Sequence, residues 1–255
     1  MPIDPLPLGR SIGWLAALLV FLVAAHEGVR RAPWPLALLL VGGLPLALLL
    51  RWRPLGARMR WSWFLWAKTY SVAAAACVLV LGGAGRLSEP VLGGVIYVLL
   101  VVNILEACLK EHQMGSRVNL VAGLVIAATT PLWTGAYVDA STAMYAAPMS
   151  WIIAYTVWDF AFVYGVFRGA YAHHIVVLGA PLLPALAQTP DLWLHARTVT
   201  LLAFLAVYNT WFPWFWGRLN FSPWHSNRVK RGLAWVSLAV AVGQALLRGL
   251  PALGI

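Results

Sequence analysis

Trp151-Ile152-Ile153-Ala154-Tyr155-Thr156-Val157-Trp158-Asp159-Phe160 sets one carboxylate well inside an apolar run. A second apolar run closes on Asn103-Ile104-Leu105-Glu106-Ala107-Cys108-Leu109-Lys110-Glu111 and carries another acid, Glu106, at its end. Of the 255 residues, 62% are hydrophobic and 10% charged, too few polar side chains to form a water-facing shell. The solvent for such a chain is lipid. A bilayer core demands an internally satisfied backbone, which leaves helices or a closed barrel. The runs are about twenty residues long and lack period-two alternation, so they read as helices.

Working outward from these two runs gives nine apolar segments: Ile12 to Ala25, Pro33 to Leu50, Trp61 to Leu81, Val91 to Leu109, Val118 to Tyr137, Pro148 to Phe167, Tyr171 to Gln188, Leu192 to Trp216 and Gly232 to Leu247. The sequence therefore predicts an all-α polytopic transmembrane bundle, a single integral membrane domain over 1–255. Gly42, Gly43 and Pro45 predict a kink in the second segment. Pro181 and Pro184 make the seventh a broken or re-entrant element, and without it the count is eight. Asp4 and a lone Arg10 are a poor start for a cleaved signal peptide, so the first segment is expected to stay as a helix. Cys77 and Cys108 have no zinc spacing and read as small core residues. Trp52, Trp61, Trp63, Trp214, Trp216 and Trp224 fall at segment ends, as in an interfacial belt.

The net charge of +10 belongs to membrane orientation, not to nucleic acid, because the basic residues lie between the apolar runs. With a cytoplasmic N-terminus, twelve basic residues fall inside: Arg10, Arg51, Arg53, Arg58, Arg60, Lys110, Arg117, Arg168, Arg218, Arg228, Lys230 and Arg231. Five fall outside: Arg30, Arg31, Arg86, Arg197 and Arg248. This is the positive-inside pattern of a multi-pass membrane protein.

In that topology Lys68, Asn103, Glu106, Asn119, Tyr155, Asp159, His173, His174 and Asn209 come to one level. They predict a polar cavity in the cytoplasmic half, open or openable to that side. Asn103, Glu106 and Lys110 share one helix face by spacing, and Trp151, Tyr155, Trp158 and Asp159 share another. Lys68 is expected to pair with Glu106 or Asp159, leaving one negative charge for a proton, a cation, a histidine or a substrate. The candidate ligand-binding set is Lys68, Asn103, Glu106, Asn119, Trp151, Tyr155, Trp158, Asp159, His173 and Asn209. A plainer reading pairs Glu106 with Lys110 at a solvated helix end, lets Lys68 snorkel, and makes the aromatic stripe packing. His173 and His174 diverge on a helix, and the other histidines lie near segment ends, so no metal, haem or other cofactor is expected.

No phosphate-binding loop, H-E-x-x-H, G-x-S-x-G or paired carboxylate motif is present, which disfavours the familiar hydrolases and ATP-driven machines. The stretch from Asn103 to Ala107, Asn119 with Gly123, Trp151 to Tyr164 and His195-Ala196-Arg197-Thr198 resemble an uncharacterised prokaryotic family of multi-pass membrane proteins, a domain of unknown function. The likeness spans Lys68 to Trp211. It implies the membrane class and the choice of residues, and it supplies no reaction. In that family the position of Asp159 is often Asn, which weakens the case that a carboxylate is required there. The reading that follows is a transporter or permease for a small polar or cationic solute, without enzymatic chemistry. The alternatives are a membrane enzyme acting on a lipid or isoprenoid from the cytoplasmic face, or an assembly subunit of a larger complex. Expected partners are membrane lipids, the solute or lipid substrate, and a complex partner or a second copy.

Overall fold

The computed structural model describes residues 6–47, 49, 63–130, 137–139, 144–211, 214–215, 218–219 and 221–252. The cluster Arg51, Arg53, Arg58 and Arg60, the start of the third segment, and Trp52, Trp61 and Trp216 lie outside the described residues. Among the described residues the chain is all-helical apart from one small hairpin. In order the helices are α1 (Leu8–Arg31), α2 (Trp34–Leu38), α3 (Trp63–Gly83), α4 (Glu89–Gln113) and α5 (Arg117–Thr129). Then come α6 (Met149–Val166), α7 (Tyr171–Gly179), α8 (Leu182–Ala187), α9 (Trp193–Thr210) and α10 (Asn227–Ala252). Strands β1 (Tyr137–Asp139) and β2 (Met144–Tyr145) pair antiparallel between α5 and α6. By length and composition α1, α4 and α6 suffice to cross a bilayer.

Consecutive segments run in alternating directions, and cross-helix contacts fix both faces. At the face where α1 begins, Leu6 N–H donates to the Arg218 carbonyl, and Phe221 N–H to that of Gly169. Ser226 N–H donates to Tyr164 Oη there (2.8 Å). At the opposite face, where α1 ends, Gln188 Nε2 donates to Glu27 (3.2 Å) and Arg248 Nε to Ser150 (3.1 Å). We call these the near and far faces.

Two expected irregularities and one departure from sequence expectation have local causes. The kink in the second segment is a π-helical turn over Leu39–Gly43, at the two glycines. The seventh segment breaks between Gly179 and Leu182, because Pro181 has no N–H to continue the ladder. The fifth segment stops at Thr129 and not at Tyr137, which lies in β1. Thr129 and Thr130 hydroxyls bond back to the Val125 and Ile126 carbonyls just before Pro131, a residue type that disfavours helix in the one preceding it.

Polarity is distributed inside out. Large apolar side chains such as Val20, Leu38, Val41 and Leu247 point outward, while Asn119, Asp159, Arg197 and Asn209 are buried. Cys77, expected in the core, is exposed on α3, whereas Cys108 is buried. Lipid gives helices no hydrophobic reason to associate, so close packing and polar contacts between helices must hold them. Gly123 of α5 provides such a contact: a Cβ there would stand 2.6 Å from Cys108 Sγ on α4 and 2.7 Å from Trp158 Nε1 on α6. α6 is the central helix, buried along most of its length.

Candidate functional site

Two ion pairs lie between α3, α4, α6 and α9. Lys68 Nζ stands 3.4 Å from Glu106 Oε2 and donates to the Asn103 carbonyl at 3.3 Å. Ser71, one turn on, offers its hydroxyl to the Lys68 carbonyl (3.2 Å) and to Glu106 Oε2 (3.3 Å), and accepts from Asn103 Nδ2 at 3.5 Å. Across from them Arg197 Nη2 donates to Asp159 Oδ2 at 2.7 Å. The guanidinium sits 5.9 Å from the Tyr155 ring centroid. Lys68 is within electrostatic reach of Asp159 and Arg197, so the four charges form one neutral group.

Arg197 is the main correction. It reads in sequence as a far-face charge, yet it is 8% exposed, inside α9. Its place within the eighth apolar segment was the available signal. Its burial leaves four far-face basic residues, Arg30, Arg31, Arg86 and Arg248, and sharpens the charge asymmetry. It also removes the unbalanced negative charge: Lys68 pairs with Glu106 and Arg197 answers Asp159. Lys110 is not the partner of Glu106. Ser71 carries no sequence signal, since a serine in an apolar helix is unremarkable alone.

The other candidates fall into separate places. Asn119 Nδ2 donates to Glu111 Oε1 and to the Trp158 carbonyl (3.3 Å), and Trp158 Nε1 returns a bond to the Asn119 carbonyl (3.1 Å). This reciprocal pair fastens α5 to α6 and buries Glu111, which sequence reading did not single out. Trp151 packs on Tyr155 and edge-on against Trp193 (5.7 Å). His173 stands among Phe215 and Phe221, edge-on at 5.3 and 5.5 Å, in a second core with α1. His174 instead stacks on Phe167 at 4.3 Å. Asn209 is buried on α9, twelve residues or about 18 Å from Arg197 along the axis. Among the described residues no three of His, Cys, Asp and Glu gather as a metal site.

A cavity of about 50 Å³ adjoins the charged group. Ser71, Asn103, Tyr155, Arg197 and Thr198 form its polar part; Val72, Leu79, Ile96, Leu100, Leu194 and Leu201 line the rest. From Ser71 to Leu79 on α3, from Asn103 to Ile96 on α4 and from Thr198 to Leu194 on α9, the wall runs toward the far face. The space beside the polar residues thus extends away from the side on which the sequence reading opened it. Arg197 Nη1 has no hydrogen-bond partner among the described residues.

Fold and site define an all-helical polytopic membrane bundle with a buried, charge-balanced polar centre. The chain belongs to the family described as Family of unknown function (DUF5692), which matches residues 116–248. That span holds Asn119, Asp159 and Arg197 and extends through most of α10, farther than the resemblance reached; Lys68, Asn103 and Glu106 precede it. No match is found among the curated proteins or among the solved structures.

Proposed function

We propose that the protein is a permease for a small polar solute without net charge, set in a prokaryotic inner membrane with the near face toward the cytoplasm. The observation that carries this reading is the neutral group of Lys68, Glu106, Asp159 and Arg197 beside a cavity of about 50 Å³. Charges at membrane depth are costly and commonly mark a solute path. Here they cancel in pairs, so a cationic solute finds no vacant counter-charge, and a polar, uncharged one meets donors and acceptors without disturbing the balance. The orientation rests on eight near-face basic residues against four on the far face among the described residues. Membrane lipids contact the outward apolar surface.

The second reading, an assembly subunit, draws on the direct pairing of the charges with one another. One experiment separates the two. Proteoliposomes are mixed with hyperosmotic glycerol or urea, and their re-swelling is followed by light scattering. The permease reading expects re-swelling faster than in protein-free liposomes and its loss in Asn103→Leu. Equal rates for both solutes with and without protein overturn it and favour the assembly role.

A further inference from the structure

A second cavity, about 310 Å³, opens at the far face between the end of α1, α2, the end of α3 and the start of α9. Arg30, Trp34, Ala84 and His195 are on its wall. Leu79 lines both this cavity and the inner one. The α9 backbone makes the same transition in one step: Leu194 faces the inner space and His195 the outer. Leu79 and Leu194 are 5% and 8% exposed, so buried aliphatic side chains stand where the two cavities adjoin.

From this arrangement we infer that the two cavities are one path, a far-face vestibule leading through a Leu79 gate to a binding chamber floored by Ser71, Asn103 and Arg197. The chemistry of the parts fixes the class of occupant. An aliphatic partition opposes ions, whose hydration is too costly to shed there. Ser71, Asn103, Tyr155 and Thr198 line the chamber with hydroxyl and amide groups that can donate and accept, so the occupant carries a hydroxyl or carbonyl. One water needs about 10–15 Å³ of such space, so the chamber holds a few waters or a solute of a handful of heavy atoms. The far-side direction of entry is an addition to the permease reading, on which the inference rests for its purpose but not for its test.

The test is thiol accessibility in proteoliposomes, with Cys77→Ala and Cys108→Ala as background and a small membrane-impermeant methanethiosulfonate as probe. Ala84→Cys reports the far face and Arg231→Cys, exposed on α10, the near face. Ser71→Cys places an isosteric thiol in the chamber. It is expected to react with reagent added at the far face, more slowly than Ala84→Cys, and not with reagent at the near face. Adding Leu79→Ala should raise its rate at least about tenfold, since reactivity scales with the open population. Adding Leu79→Phe, which keeps the core filled, should lower it. Reaction of Ser71→Cys from the near face alone, or rates indifferent to both Leu79 changes, overturns the inference. A far-side path without solute flux leaves the gate standing and rejects the permease; flux with near-side labelling does the reverse.

Discussion

Removing Arg197 alone should damage the fold more than removing it together with Asp159. At 2.7 Å and an effective dielectric of about 20, the attraction between the two charges is about 6 kcal/mol before desolvation is subtracted. Both side chains are about nine-tenths buried, at 10% and 8% exposure. Breaking a buried pair from one side costs about 3–5 kcal/mol, because the remaining charge has neither partner nor water. Lys68 lies within reach of Asp159 and offsets part of that, so we expect about 3 kcal/mol for Arg197→Met. The double variant Arg197→Met/Asp159→Leu should return to within about 1 kcal/mol of the parent, since apolar replacement of a whole buried pair is often neutral. The assay is reversible unfolding in mixed dodecyl maltoside and SDS micelles, followed by tryptophan fluorescence and read as a double-mutant cycle. A single-variant cost below about 1 kcal/mol, the range of exposed pairs, would refute the argument. So would additive single costs in the double variant.

The remaining expectations use the same micelle assay. Gly123→Ala should cost about 1–3 kcal/mol by overpacking, and Cys108→Ala should restore only part of it because Trp158 still blocks the new methyl. Trp158→Phe keeps the ring but removes the bond to the Asn119 carbonyl, so a loss of about 1–3 kcal/mol is expected; a silent change would mean that this bond does not fasten α5 to α6. Glu106→Gln should cost less than Lys68→Met, because Ser71 still bonds the amide, whereas loss of the lysine leaves Glu106 with the serine hydroxyl alone. The reverse order would place the main support of the pair elsewhere.

Long-range contacts, not element identity, are where sequence reading stopped. Apolar run length exposed the helical segments among the described residues, and the paired glycines and prolines marked the π-helical turn and the break before α8, because these are local properties of the backbone. Lys68 with Glu106 was legible as one of two pairings, since a buried lysine needs an acid. Arg197 was misplaced because charge counting treats any arginine near a segment end as solvated. Its place inside the eighth apolar run was the contrary signal, and the ion pair with Asp159 on α6 shows that the fifth residue of α9 is already deep. Glu111 was missed for the same reason: its burial depends on Asn119, which approaches across the tight turn at Gly115 (φ 70°). Ser71 and Leu79 are ordinary residues for an apolar helix. Their importance lies wholly in what stands opposite them.

The pairing of Lys68 with Glu106 and of Asp159 with Arg197 also has an electrical consequence. Each elementary charge carried across the membrane exchanges about 2.3 kcal/mol with the field for every 100 mV. Any rearrangement that moves these four groups together displaces no net charge, so the resting potential neither drives nor opposes it. Neutralising one member, as in Glu106→Gln, would couple the centre to voltage for the first time.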